Sequence, residues 1–296
     1  MRRAAIVAPV RTAVGAFGGA LRSVGVEHLG AAVIQTVLQR SGLDPAQVED
    51  VVMAQSYPSG EAPCIGRWAA LQAGLPVEVP GMQLDRRCGG GLQAIVTAAM
   101  MVQSGAADVV LAGGVESMSN VEYYSTEMRW GARSGSVSMH DRLQRARERS
   151  QPVERFGVIS GMIAGRFDRE IVPVPVTQKK GPPIIFARDE GVRGESTAES
   201  LAGLKPIIAG GTVTAGNAAQ QNDAAAACLV VAEERLGALQ LAPMAWPVGW
   251  AAAGCASWRR CCTNLNGARA ATGSRPCASV VARAWQRYSS VPHERT

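Results

Sequence analysis

The chain has 296 residues, enough for one large domain or two smaller ones around a sizeable core. Its composition, 47% hydrophobic and 18% charged, is that of an ordinary globular protein, and no apolar run approaches the roughly 18 residues of a membrane span. A net charge of +6 suits an anionic ligand, but nucleic acid is set aside because no helix-turn-helix, zinc-finger or aromatic-plus-basic pattern accompanies it.

Taken in chain order, residues 3–8 predict a short buried strand. Pro9 and Arg11 interrupt too short an apolar run for a signal peptide, so the expectation is a cytoplasmic protein. The glycine-rich stretch GAFGGAL leads to a predicted helix from Glu27 to Gln39, with Leu29, Val33, Ile34, Val37 and Leu38 at helical spacing. Asp44 and Pro45 supply N-cap and N1 chemistry for a further helix. A strand at Val51–Ala54, a helix around Gly66–Ala73 and a strand near Gln83 follow. Next come a helix after Cys88 and the apolar run ADVVLAGG. Strands and helices alternating at this length predict an α/β fold.

Residues 120–211 read differently. MHDRLQRARERSQPVERF is arginine-rich and EIVPVPVTQKKGPP is broken by prolines, which predicts a basic inserted excursion rather than more of the same sheet. Regular character returns in GTVTAGNAAQQNDAAAACLVVAEERLGAL, where ACLVVA predicts a strand and EERLGAL a helix. The stretch 241–296 concentrates tryptophan, cysteine and arginine without a period of either 3.6 or 2, and predicts a poorly folded tail. Disordered basic tails are depleted in Trp and Cys; translation out of frame is the preferred account of this composition.

Seven cysteines, at 64, 88, 228, 255, 261, 262 and 277, form no C-x-x-C pair, so neither a disulfide framework nor a metal site is expected. Cys228, in an apolar strand pattern, belongs to the core; Cys64 follows a proline in a loop. Cys88 is different. In LDRRCGGGLQAIVTAAMM it precedes a helix whose apolar face is Leu92, Ile95, Val96, Ala99 and Met100. Unpaired N–H groups at a helix start favour the thiolate, which is the nucleophilic form. Gly89, Gly90 and Gly91 would let substrate and backbone approach the sulfur, and first-turn amides such as that of Gly89 could hold an oxyanion. On these features alone, a nucleophile and a small core residue beside packing glycines are equally good readings.

The motifs together resemble the thiolase family, acyl-CoA acyltransferases that make or cleave 3-ketoacyl-CoA. PVRTAVGAFGGAL resembles the family's opening signature, and LDRRCGGGLQAIVTAAMMVQSGAADVVLAGGVESMS its nucleophile–helix–strand block. AGRFDREIVPV and TVTAGNAAQQND resemble later segments in the right order. The resemblance covers most of residues 4–240 and favours Cys88 as the nucleophile. It implies a thiolase-like α/β fold: an N-terminal mixed-sheet half at 1–119 and 212–240, a shortened CoA-binding loop domain at 120–211, and an aberrant tail at 241–296 with the second half missing. Cys88 would take an acyl group from acyl-CoA and pass it to acetyl-CoA or to CoA, with no bound cofactor. Gly216, Asn217 and Ala219 would lie along the pantetheine arm. A homodimer or homotetramer is implied for an intact relative.

The departures from the family pattern are specific. Gly90 stands where serine is usual, Ala219 replaces a serine that usually contacts the CoA arm, and SGMI runs into AGRFD where a helical segment is usual. The family's second half carries an Asn-Glu turn, a Gly-His-Pro motif and a second reactive cysteine. His28, His140 and His293 lack a Gly-His-Pro context, and neither Cys255 nor Cys277 sits in a glycine-rich loop. The expectation is an acyltransferase with impaired turnover; the alternative is a non-catalytic remnant of the fold that binds CoA or a partner. A ketosynthase-type condensing enzyme would also need histidines downstream of its cysteine.

Overall fold

The computed structural model describes residues 2–132, 134–150, 171–191, 195–206, 214–216 and 220–244. In chain order these carry β1 (Ala4–Thr12), β2 (Gly15–Ala16), α1 (Val26–Ser41), β3 (Asp50–Ala54), α2 (Ile65–Gln72), β4 (Gly81–Leu84), α3 (Gly90–Ser104) and β5 (Val109–Ser117). There follow β6 (Tyr123–Tyr124), β7 (His140–Asp141), α4 (Arg142–Ser150), β8 (Ile171–Val172), β9 (Val174–Val176), β10 (Ile184–Phe186), α5 (Ala198–Ala202) and β11 (Asn222–Ala232). The expected tail at 241–296 lies outside the described residues beyond Met244.

One mixed sheet organises the molecule, in the order β4-β3-β5-β11-β1-β8, with β2 also on β11. β4, β3 and β5 run parallel, joined through α2 and α3 as helix crossovers require. β11 pairs antiparallel with both β5 and β1. All of its residues are buried, and period two divides them between the faces. Ala225, Ala227, Leu229 and Val231 join α1 and α2; Ala224, Ala226, Cys228 and Val230 face α3. The result is three layers, helices α1 and α2, the sheet, and α3.

Several expectations are corrected. Asp44 does accept from the Ala46 N–H, at 3.0 Å, but it caps only a single 3-10 turn, Pro45–Gln47, because Val48 is already extended toward β3. EERLGAL yields a 3-10 turn at Glu233–Arg235 rather than a helix; Leu236 and Leu241 then fold onto the α1 side of the core. The excursion is not wholly separate from the sheet, since β8 pairs parallel with the end of β1. Its length, two residues, suits a proline-interrupted edge strand.

Candidate active site

The site is built where β4 gives way to α3. Leu84 ends the strand, and the Asp85 carboxylate accepts the Arg87 N–H at 2.8 Å, turning the chain. Arg87 is left-handed, with φ of 47°, a conformation that costs a non-glycine residue about 1–2 kcal/mol. Three contacts oppose that cost. Arg87 Nη1 donates to the Ser56 carbonyl and pairs with Asp85 Oδ2 at 3.1 Å. The guanidinium also lies 5.4 Å from the centre of the Tyr57 ring. The next residue is Cys88, in a 3-10 turn (Arg87–Gly89) that runs directly into α3. Its thiol is exposed and outside any disulfide.

The three glycines divide their roles, which corrects the expectation that all of them give access. A Cβ on Gly90 would lie 2.8 Å from Ala54 Cβ in β3, and a Cβ on Gly114 of β5 would lie 3.6 Å from Gly91 Cα. Gly90 and Gly91 therefore seat the head of α3 directly on the sheet. Only Gly89 faces open space, its nearest neighbour being Arg86 Cγ at 3.9 Å. The Gly89 N–H donates to the Arg86 carbonyl at 3.0 Å, and the Gly90 N–H to the Arg87 carbonyl. No acidic residue occupies the first turn of α3, and Gly89 brings no capping side chain, so no carboxylate within that turn offsets the positive end of the helix dipole.

The apolar face expected for α3 is also shifted. The buried residues are Gly90, Gly91, Ala94, Ile95, Ala98, Ala99 and Val102. Leu92 and Val96 are half-buried and Met100 is exposed. Small residues win the sheet side because the close seat at Ala54 and Gly114 leaves no room for larger ones.

Sequence reasoning missed Glu116. This β5 residue is buried beneath the turn, in a pocket lined by Ala54, Gln55, Ser56, Arg87, Gly91, Gly114 and Val115. Its Oε2 accepts the Ser56 N–H at 2.8 Å and its Oε1 the Tyr57 N–H at 3.3 Å. The Ser56 side chain donates as well. Burial nonetheless outweighs these donors and pushes the carboxyl up to about 7, with Asp85 adding to the rise. Gln55 Oε1, in the same pocket, is a buried acceptor with no hydrogen-bond partner among the described residues. The available signal was a lone acid inside the otherwise apolar and glycine run of β5.

The remaining sequence candidates fall elsewhere. Gly216 sits in a separate turn after the Pro206–Thr214 bridge, where a Cβ would press within 2.8 Å of Leu201 and Leu204. Asn217 and Ala219 lie outside the described residues, as do His293 and the cysteines at 255, 261, 262 and 277. Cys64 is exposed at the start of α2 and donates to the Gly81 carbonyl at 3.3 Å. Cys228 is fully buried, its thiol pushed up to about 12 by desolvation, which fits the expected core role. His28 is an exposed α1 residue paired with Glu27, and His140 packs against the Tyr124 ring. Among the described residues no helix is long and apolar enough to cross a membrane.

Comparison with known proteins bears on this geometry. The family model described as the thiolase N-terminal domain matches residues 4–152 and 160–234. An acetyl-CoA acetyltransferase of Cupriavidus necator is 38% identical over 278 residues, spanning 84% of this chain and 71% of that protein. One from Pseudomonas aeruginosa is 37% identical over 283 residues, covering 86% and 72%. The crystal structure of the Bacillus anthracis acetyl-CoA acetyltransferase superposes with a TM-score of 0.73 at 31% identity, covering 83% of this chain and 69% of that one.

Proposed function

The chain belongs to the thiolase family of acyltransferases, and on that premise we propose that Cys88 Sγ accepts an acyl group from an acyl-CoA thioester. The thiolate attacks the thioester carbon, the carbon–sulfur bond to CoA breaks, and the released CoA thiolate takes up a proton. In synthesis the acyl group then passes to the α-carbon of acetyl-CoA, whose lost proton ends on the restored Cys88 thiol. In breakdown Cys88 takes its acyl group from a 3-ketoacyl-CoA by breaking the carbon–carbon bond beside the ketone, and acetyl-CoA leaves with the thiol proton. A CoA thiol then carries the acyl group away, again restoring Cys88. The observation that carries this reading is the exposed Cys88 at the amino end of α3, without a competing carboxylate in the first turn.

Gly216, Asn217 and Ala219 are the proposed contacts for the pantetheine arm. The Gly89 amide is the proposed oxyanion donor, and in that role it shares its proton with the Arg86 carbonyl. A sheet-bearing half at 1–119 and 212–240 with a CoA-binding region at 120–211 belongs to the same proposal, as do cytoplasmic placement and assembly into a homodimer or homotetramer. These 296 residues contain no Gly-His-Pro motif. Removing a positioned acid or base typically lowers rate by about 10² to 10⁴, so the chain by itself is expected to acylate and to turn over slowly.

Incubation with acetyl-CoA followed by peptide mass spectrometry tests both parts. The expected result is one acetyl group on the Cys88 peptide, absent in Cys88→Ala, with little steady-state release of free CoA. An unmodified Cys88 would overturn the reading in favour of a CoA- or partner-binding remnant of the fold. Acetylation with rapid turnover would overturn the impairment alone.

A further inference from the structure

We propose that Glu116 is a positioning residue for Cys88, acting through the Ser56–Tyr57 turn and the Arg87 side chain; the proposal rests on the reading of Cys88 as the nucleophile. Both links end on one short loop. The Glu116 carboxyl gathers the N–H groups of Ser56 and Tyr57, at 2.8 and 3.3 Å, and the Ser56 hydroxyl. The Ser56 carbonyl and the Tyr57 ring receive the Arg87 guanidinium. Arg87 holds the left-handed backbone, φ 47°, that immediately precedes Cys88. A strained residue persists only where its surroundings over-determine it, and here the loop that does so is itself fixed by Glu116.

The inward-facing carboxyl has no evident purpose in packing, since an apolar side chain between Ala54 and Val115 would fill the pocket without a buried acid. Its chemistry instead matches the three donors it holds. An ionised carboxylate accepts from all of them, whereas protonation turns one oxygen into a donor. The loop is therefore held tightest when Glu116 is charged, and a pKa near 7 places that change in the physiological range.

The charged groups that face Glu116 come from the turn before α3: Asp85, which disfavours the charge, and Arg87, which lines the pocket. The neighbouring elements present neutral residues: Ala54 from β3, Gly91 from α3 and Ala224 from β11. The loop itself adds the neutral side chains of Gln55 and Ser56.

Peptide-level hydrogen exchange and single-turnover acetylation of the full chain test the relay. Glu116→Gln and Arg87→Met should both speed exchange in the Arg87–Gly89 segment. Both should lower the maximal rate of Cys88 acetylation by about tenfold or more, the scale of a misplaced reacting group. The half-saturating acetyl-CoA concentration should stay unchanged. Arg86→Gln, which removes the same charge from the same turn but at a guanidinium that donates to Gln93 of α3, should do neither.

A second readout separates position from thiolate content. The ratio of acetylation to iodoacetamide alkylation at Cys88 should rise through pH 7 in the wild type and be flat in Glu116→Gln. An unchanged exchange rate at Arg87–Gly89 in Glu116→Gln overturns the proposal, as does an Arg86→Gln effect equal to that of Arg87→Met. Should Glu116→Gln fail to fold, Arg87→Met, a change at an exposed side chain, and the wild-type pH profile decide. A wild type that never acquires an acetyl group refutes the nucleophile and leaves the exchange coupling to judge the relay by itself.

Discussion

Burial moves the Glu116 carboxyl from 4.5 to about 7, a displacement equivalent to about 3 kcal/mol. For an acid whose folded-state pKa is raised, the contribution to stability is fully present below the unfolded value. It is lost as pH rises through the folded one, here between roughly 4.5 and 7. Urea titrations of the wild type and Glu116→Gln at pH 5 and pH 8 should show it. The wild type is expected to lose about 3 kcal/mol relative to the variant across that interval, and a pH-independent difference would mean that the carboxyl titrates normally. The two key residues of this site differ in how plainly the sequence announced them. Cys88 is marked locally, by the glycines and the helix that follow it. Glu116 takes its meaning from Ser56 and Tyr57, about 60 positions away, and nothing adjacent to it hints at that contact.

At the scale of elements, the seat of α3 on the sheet is the sharpest constraint near the thiol. Serine, usual in the family at position 90, would carry a Cβ only 2.8 Å from Ala54 Cβ. Gly90→Ser should therefore destabilise by about 1–3 kcal/mol, the usual range for overpacking. Gly90→Ser combined with Ala54→Gly should recover most of that loss in denaturant titrations. Additive effects of the two changes would mean that the helix head adjusts without pressing on β3. The same closeness explains why the buried face of α3 departs from the one its periodicity suggests. The sequence offers Leu92, Val96 and Met100 as a helical stripe, but a helix this near the sheet buries alanines instead. The first half of β11 is hidden in the sequence for a related reason. Asn222, Asp223 and the run of alanine at 224–227 that open it have little strand preference, and the alanines are held extended because β5 and β1 flank them. Elements with larger apolar side chains at clear spacing, such as α1 and β3, were legible throughout.

Across the whole molecule, what ties the excursion to the sheet was the least legible part of the fold. Arg11, in the family's opening signature, is buried at the end of β1 and pairs with Asp189 at 2.8 and 3.1 Å. Asp189 also accepts the Val14 N–H at 2.7 Å, while Glu190 accepts from Ala16 and Ala20. This pairing spans 178 positions, and the prolines and basic charges around residues 170–183 conceal it. Energetically it differs from a surface ion pair, because removing one partner strands a buried charge. Asp189→Ala should cost about 3–5 kcal/mol, the range for such a break, and should loosen exchange at both β1 and β8. Arg11→Met combined with Asp189→Leu should cost clearly less, since no charge is left buried. Equal losses for the single and double variants would show that the Val14 contact, not the buried guanidinium, is what the excursion contributes to the sheet.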